Sequence, residues 1–265
     1  MKPKVITPPL HYPLTVEEAK RQLNYFHSED DDQVADFIAD ATDEAQDYTG
    51  ITMLYTTVEE TLDRFPCSTF ELGGIPFVKI ESIKYYDTDD ALQTLASSEY
   101  RVDSHATYAR LQPVNTWPST KCKLNAVLIT YVVGYAGVAS ANADDDALIM
   151  QAHPFANGNR VIGTKAREAV FPTGLTEKKA YYVVNATTDT FQLSETEGGS
   201  AIDITDAGSG QLYFGQLLPN QMLRAMKMMV THFDQFRSDF VTGTIVQKIP
   251  LNSRYLLDQV KPKRL

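Results

Sequence analysis

Cysteine is scarce in this chain: 265 residues contain only Cys67 and Cys122. Two thiols so far apart exclude a disulfide framework and fit no metal-ligand spacing. Each is expected to stay reduced and to serve as a small core residue. Long apolar runs are also missing, since no stretch approaches the roughly 18 residues that a membrane-crossing helix needs. The opening Met1-Lys2-Pro3-Lys4-Val5-Ile6-Thr7-Pro8-Pro9 lacks the apolar core and small-residue cleavage site of a signal peptide. A soluble chain made in the cytoplasm, with no membrane contact, is expected. Positive charge is in deficit, with 24 Lys and Arg against 34 Asp and Glu and a formal net charge of −10. That balance argues against ordinary nucleic-acid binding, which needs a basic patch to displace counterions.

Catalytic signatures are lacking too. There is no G-x-S-x-G, no Walker loop and no G-x-G-x-x-G after a strand. His11, His27, His105, His153 and His232 are dispersed and form no i, i+4 metal pair. His153 precedes a turn and His232 lies at the edge of an apolar helix face, so both read as structural. Asp30-Asp31-Asp32 and Asp144-Asp145-Asp146 lack the alternating ligands, glycine and distal Glu of a calcium loop. The first triplet reads as a helix cap and the second as a solvated linker. Gly208-Ser209-Gly210 reads as turn chemistry. No catalytic residue, metal or cofactor is expected.

What is present is a patterned chain, 43% hydrophobic, with enough apolar residues for a sizeable core. Thr15 with Glu18 makes a capping-box pattern before a short helix to Leu23, with Leu14 as the staple residue. A second helix is expected from about Asp31 to Thr49, ended by Gly50. Its apolar stripe is Val34, Phe37, Ile38, Ala41, Ala45 and Tyr48. From 51 to 133, strands are expected at 56–62, 78–86, 99–102, 109–112 and 126–133, with a hairpin turn at Asp87-Thr88-Asp89-Asp90. A third helix opens at Pro219 and carries Met222, Ala225, Met226, Met229, Val230, Phe233, Phe236 and Phe240 on one face.

Residues 139–146, small and acidic, read as a linker. Beyond them, 147–153, 160–164, 180–186, 190–194 and 211–214 read as strands, with a hairpin across 185–189. The class is therefore α+β: a bundle of N-terminal helices and a long C-terminal helix, antiparallel β elements, and an inserted small all-β barrel or sandwich. The expected domains are a discontinuous core of 1–138 with 216–265, an inserted β domain at 147–214 projecting from it, and an arm at 251–265. In that arm, Ile249-Pro250-Leu251 and Tyr255-Leu256-Leu257 put apolar anchors on a segment that reads as extended and ends in Lys261, Lys263 and Arg264. Such an arm binds by adding to a sheet edge or by filling pockets.

Several segments together resemble the head–tail connector (adaptor) proteins of tailed bacteriophages. They are Thr15-Val16-Glu17-Glu18-Ala19-Lys20-Arg21-Gln22-Leu23, the helix ending Tyr48-Thr49-Gly50, Tyr100-Arg101-Val102-Asp103 and Trp117-Pro118. Val230-Thr231-His232-Phe233-Asp234-Gln235-Phe236-Arg237 and the anchors of the arm complete the set. The stretch from Ala147 to Gln211 falls outside the pattern and resembles a small β module of phage structural proteins. The resemblance implies a ring of about twelve copies, located in the virion neck between head and tail. Its partners would be the portal protein above and a tail or head-completion (stopper) protein below. DNA would pass through the extended channel without specific binding, and the ring would support genome retention and tail attachment. By carry-over, 251–265 is the portal-docking segment, with Leu251, Tyr255, Leu256, Leu257, Lys261, Lys263 and Arg264 as candidates.

Asp36, Asp40, Asp43, Glu44 and Asp47 populate one side of the second helix, with no Lys or Arg among them. A run of like charge is ordinarily a solvated face. In a connector it is also a channel wall from which duplex DNA is repelled rather than held. Two other readings remain beside the connector. One is a binding module whose β insert, with Phe155, Tyr181, Tyr182 and Tyr213, recognises carbohydrate or another capsid or tail protein. The other is a hydrolase using Asp and His, which the absence of a catalytic set disfavours.

Overall fold

A computed structural model describes residues 3–236 and 251–262. Strand β1 (Lys4–Thr7) is followed by helices α1 (Val16–Leu23) and α2 (Asp31–Thr49). Next come β2 (Thr56–Leu62), β3 (Phe70–Glu71), β4 (Phe77–Tyr86), β5 (Leu92–Thr94), β6 (Tyr100–Asp103), β7 (Arg110–Pro113) and β8 (Val127–Val133). A second β region holds β9 (Ala136–Asn142), β10 (Ala147–Ile149), β11 (Arg160–Lys165), β12 (Ala180–Val184), β13 (Thr190–Ser194) and β14 (Leu212–Gly215). Helices α3 (Asn220–Gln235) and α4 (Leu251–Val260) close the chain. The α+β class is as expected, and so is the barrel.

The division into compact units differs from the expected core and insert. One unit is Met1–Pro9 with Tyr55–Gly134, and the other is Leu10–Leu54 with Tyr135–Leu265. The barrel groups with the helices, and the first β region stands as a body of its own.

In that first unit an antiparallel sheet runs in the order β1-β2-β8-β4-β5. Strands β2 and β8 pair without interruption from Thr56↔Val133 to Leu62↔Val127. Period-2 alternation places Val58, Ile83, Val127, Ile129, Tyr131 and Val133 in the core, where Leu72, Ala109 and Leu111 join them. Phe65 stacks on Trp117 with ring centres 4.7 Å apart and planes 4° from parallel. The Trp117 indole N–H donates to the Ser68 carbonyl at 3.2 Å.

Glu60 points into the same core, only 7% exposed. Its carboxylate accepts from the Gly73 N–H at 2.9 Å and from the Tyr131 hydroxyl at 3.0 Å. The Tyr131 oxygen accepts in turn from the Gly74 N–H at 3.0 Å. Burial first, and then the Glu60 charge, hold the phenol's pKa above its ordinary value, so it remains a donor. Gly74 is needed there because a Cβ would lie 2.8 Å from the Val133 Cγ1.

In the second unit Thr15 caps α1, its hydroxyl accepting from the Glu18 N–H at 3.2 Å. Helix α2 ends at Gly50, whose φ of 73° lets its N–H reach the Gln46 carbonyl at 2.7 Å. Val34, Ile38, Ala41 and Ala45 are buried along α2, whereas Phe37 and Tyr48 are half-buried at the margins of the stripe. Met222, Ala225, Met226, Met229 and Val230 form the buried face of α3. Phe240 lies outside the described residues. Asp30 takes the N-cap position of α2 but makes no side-chain cap hydrogen bond, so the acids there favour the helix through its dipole, with Asp31 also paired to Lys20.

The barrel closes in the order β10-β13-β12-β11-β14-β9, which leaves no free edge. Leu148, Val161, Tyr181, Val183, Phe191, Leu193, Leu212 and Phe214 are buried. Residues 139–146 are not a linker. Strand β9 runs to Asn142 and pairs with β10, Ala147↔Asn142 to Ile149↔Ser140. The acidic triplet belongs to the intervening turn, where the Asn142 side chain bonds Asp144 N–H and Asp145. Small residues masked a strand that contributes backbone rather than bulk. The cysteines also depart from expectation, both being exposed.

Tyr131→Phe is expected to leave Gly74 N–H and Glu60 short of partners and to destabilise the protein by about 1–3 kcal/mol, read as a lower urea midpoint at unchanged slope.

Candidate functional site

Helical geometry of 100° per residue puts Asp36, Asp40, Asp43 and Asp47 within an arc of about 60°, and all four are exposed. Glu44 stands apart from that stripe and is half-buried. Like charges at i, i+4 cost a few tenths of a kcal/mol per pair, and no Lys or Arg within α2 offsets them. The apolar stripe on the opposite side of the helix supplies the stability that the acidic face lacks.

At its N-terminal end α2 receives Lys20 of α1 on Asp31, and at its C-terminal end it meets cations from α4. The Tyr48 hydroxyl donates to Asp258 Oδ1 at 2.6 Å and accepts from Arg254 Nε at 3.0 Å. The Lys261 ammonium sits 4.2 Å from the centre of the Tyr48 ring, and the Arg254 guanidinium carbon 5.6 Å from it. Both cations gather where the α2 dipole is negative, which is favourable.

The C-terminal segment is therefore not an extended arm over Leu251–Val260 but a helix packed on α2 and α3. Leu257 is fully buried in that packing and so is not free to dock elsewhere. Tyr255 is 67% exposed, Leu256 half-buried and Lys261 exposed. The side chain of Leu251 and residues Lys263 and Arg264 lie outside the described residues. Sequence reading missed Tyr48, Arg254 and Asp258 as a set, although Arg254, Asp258 and Lys261 keep i, i+4, i+7 spacing.

The barrel does not project freely from the helices. Glu18 on α1 accepts from the Arg167 N–H at 3.0 Å and lies 3.5 Å from the Lys227 ammonium of α3. Arg21 pairs with Glu168 at 3.1 Å. The Tyr213 hydroxyl donates to the Pro13 carbonyl at 3.1 Å, and the Gln211 amide to the Tyr12 carbonyl at 2.8 Å. Burial, and then the Glu18 charge, push the Tyr213 phenol up. Of the aromatic set Phe155, Tyr181, Tyr182 and Tyr213, two are thus spent on packing: Tyr181 and Tyr213 are buried.

In the first unit, Thr69, Arg101, Val102, Asp103, His105, Arg110 and Gln112 line an open groove of about 550 Å³. Arg110 holds Asp103 through two guanidinium contacts, and the His105 N–H adds a third at 3.0 Å. The Arg110 bond first, and then the His105 N–H, keep the Asp103 carboxyl below the usual carboxylate range. Among the described residues no group of three or more His, Cys, Asp or Glu could hold a metal ion. None of the described helices is long and apolar enough to cross a membrane. His153 is buried, its Nε2 3.0 Å from the Thr190 carbonyl, in keeping with a structural role.

Residues 13–101 match the profile of the family described as "Phage gp6-like head-tail connector protein", which bears out the resemblance read from the sequence. No curated protein matches the chain. Three solved structures share its fold across 100% of this chain and 97% of theirs, at 10% identity. They are the neck of an empty gene transfer agent (GTA) particle computed with C6 symmetry (TM-score 0.58), the virion of a native GTA particle (0.57), and the neck of a native GTA particle computed with C12 symmetry (0.56).

Tyr48→Phe removes the hydroxyl that joins Arg254 to Asp258. Faster amide exchange confined to α4 is expected, corresponding to about 0.5–1.5 kcal/mol; unchanged protection would show that the hydroxyl bridge does not hold the helix. The Asp103–Arg110 pair has a pH signature. Because the folded pKa is depressed, its stabilisation is present above the unfolded value of 3.8 and lost as pH falls through the lower folded value. An NMR titration should place the Asp103 midpoint below that of free aspartate, and Arg110→Ala should return it toward 3.8.

Proposed function

We propose that this chain, whose residues 13–101 carry the connector pattern, is a structural subunit of a virion neck rather than a catalyst. About twelve copies form a closed ring beneath a portal protein and above a tail or head-completion protein. The ring extends the DNA channel, helps to retain the packaged genome and provides the seat for the tail. The subunits are made in the host cytoplasm before they join the particle.

The observation that carries this reading is the stripe of Asp36, Asp40, Asp43 and Asp47, exposed on a helix with no cation of its own. An exposed acidic wall repels duplex DNA, whereas a basic one would arrest it by releasing counterions. The match over 13–101 and the fold shared with necks computed with C6 and C12 symmetry support a ring. The C-terminal segment faces the portal in this reading. Its docking surface is the outer side of α4, with Tyr255 as the exposed aromatic and Lys261, Lys263 and Arg264 as the basic end.

Electron microscopy of the protein mixed with the portal of its own particle tests the assembly: monomers alone and rings on mixing are expected. Density elsewhere than around the axial conduit would refute the reading. Replacing the four stripe aspartates by lysine is expected to leave rings intact and to slow DNA release from assembled particles, while the four asparagine replacements change release far less. Equal release from all three would show that the stripe does not meet DNA.

A further inference from the structure

The loop between α1 and α2 holds Phe26 at 94% exposure, the highest among the exposed large apolar residues described. The loop itself is braced. Asn24 turns the chain in the left-handed region at φ 61°, and the Tyr25 N–H donates to the Lys20 carbonyl at 2.9 Å. The Tyr25 hydroxyl donates to Asp234 Oδ1 at 2.8 Å, and His27 stacks on the Tyr25 ring at 5.4 Å. Both neighbours of Phe26 are thus fixed while its own ring stands in water. An aromatic presented on a fixed stalk is a preorganised anchor for a pocket, with little ordering left to do on binding. Four acids follow it: Glu29, Asp30, Asp31 and Asp32. Lys20 pairs with Asp31 at 2.5 Å, while Glu29 and Asp32 face solvent. The chemistry that receives Phe26 is therefore an apolar floor with a basic rim.

The chain carries such a receptor. In the groove of the first unit Val102 is 37% exposed and supplies apolar surface. Arg101, His105 and Arg110 surround it. The one acid there, Asp103, is answered by Arg110 and the His105 N–H. The Arg101 side chain makes no hydrogen bond or ion pair with any described residue, and a guanidinium stacks well on an aromatic face. A volume of about 550 Å³ admits a phenyl ring. The charge balance agrees. The first unit holds nine Lys and Arg against ten Asp and Glu, so nearly all of the net −10 lies in the second. Copies of such a chain repel one another unless the contact joins acid to base.

We infer that neighbouring copies join by seating Phe26 of one copy in the Arg101–Val102–His105–Arg110 groove of the next, with Glu29 and Asp32 against the arginines. Knob and groove are different surfaces, so the contact is heterologous, and repetition of a heterologous contact closes a ring when the rotation allows. The inference rests on the ring reading and names the surfaces that build the ring.

The test uses full-length protein with Cys67→Ser and Cys122→Ser, both native thiols being exposed. A Phe26→Cys copy mixed with a Val102→Cys copy in concentrated solution, under a mild oxidant, should give a mixed disulfide dimer, whereas either alone should give little. In the native background and with the portal present, Phe26→Ala and Arg101→Glu are each expected to weaken ring formation by ~10-fold or more. Glu29→Arg with Asp32→Arg should restore the Arg101→Glu variant. All these side chains except the native cysteines' replacements are checked for folding by an unchanged melting curve. Rings that form equally well with Phe26→Ala would overturn the knob while leaving the ring reading intact. Dominant Phe26→Cys homodimers would overturn the heterologous contact. Rings that persist in Phe26→Ala but no longer bind the portal would assign the knob to that partner instead. Failure of the native protein to self-associate under any condition, with the portal or without, would overturn both readings.

Discussion

Glu18 is the joint on which the second unit turns. It is the last of the four residues of the capping box that Thr15 opens, and its own N–H is taken by Thr15. A capping-box glutamate commonly bonds back to the cap residue, but this carboxylate reaches outward to the Arg167 N–H and toward Lys227. One half-buried acid thereby ties α1, α3 and the barrel together, with Arg21–Glu168 beside it. A partly buried carboxylate is stable only when its charge is answered, so these partners come as a set. The consequence for function is rigidity: the barrel is held against the helices that carry the acidic stripe and the Phe26 loop.

The stripe itself shows how a helix can be stable and locally unfavourable at once. Val34, Ile38, Ala41 and Ala45 bury one side of α2, and burial is worth far more per residue than the repulsion between exposed aspartates. Cations meet the two ends of the helix, Lys20 on Asp31 at the start and the α4 cations on Tyr48 at the finish. Asp36, Asp40 and Asp43 thus lie exposed along the middle of α2, on a helix that carries no Lys or Arg. The first unit, close to neutral, is free of that constraint, and its buried Glu60 is answered by hydrogen bonds rather than by a cation.

Much of the fold was legible from periodicity. Helix α2 ends at the expected residues because Gly50 permits a left-handed cap, and β2 and β13 match their expected ranges because β-branched and aromatic residues alternate there. Strand β9 was hidden by its alanines and by a turn rich in aspartate. Helix α4 was hidden by brevity: ten residues, with Ser253 and Leu257 buried among those described, give little pattern, and Leu251, Leu256 and Leu257 read equally well as anchors on an extended arm. Of the candidate site, the stripe was readable because its spacing is local. Leu257 was misplaced because its burial depends on helices more than twenty residues away in sequence.

The sequence by itself determined what is short-range: the helix and strand segments with strong period, the caps at Thr15 and Gly50, and the acids on one side of α2. Tertiary structure alone decided which segments share a unit, that the barrel is clamped by Glu18, that α4 folds onto Tyr48, and that Arg101 and Arg110 border a groove. The reason is physical. Periodicity and capping act within a few residues and leave a mark on local spacing, whereas a carboxylate's choice among distant donors, or a helix's choice of groove, is settled by burial and charge that no local pattern encodes.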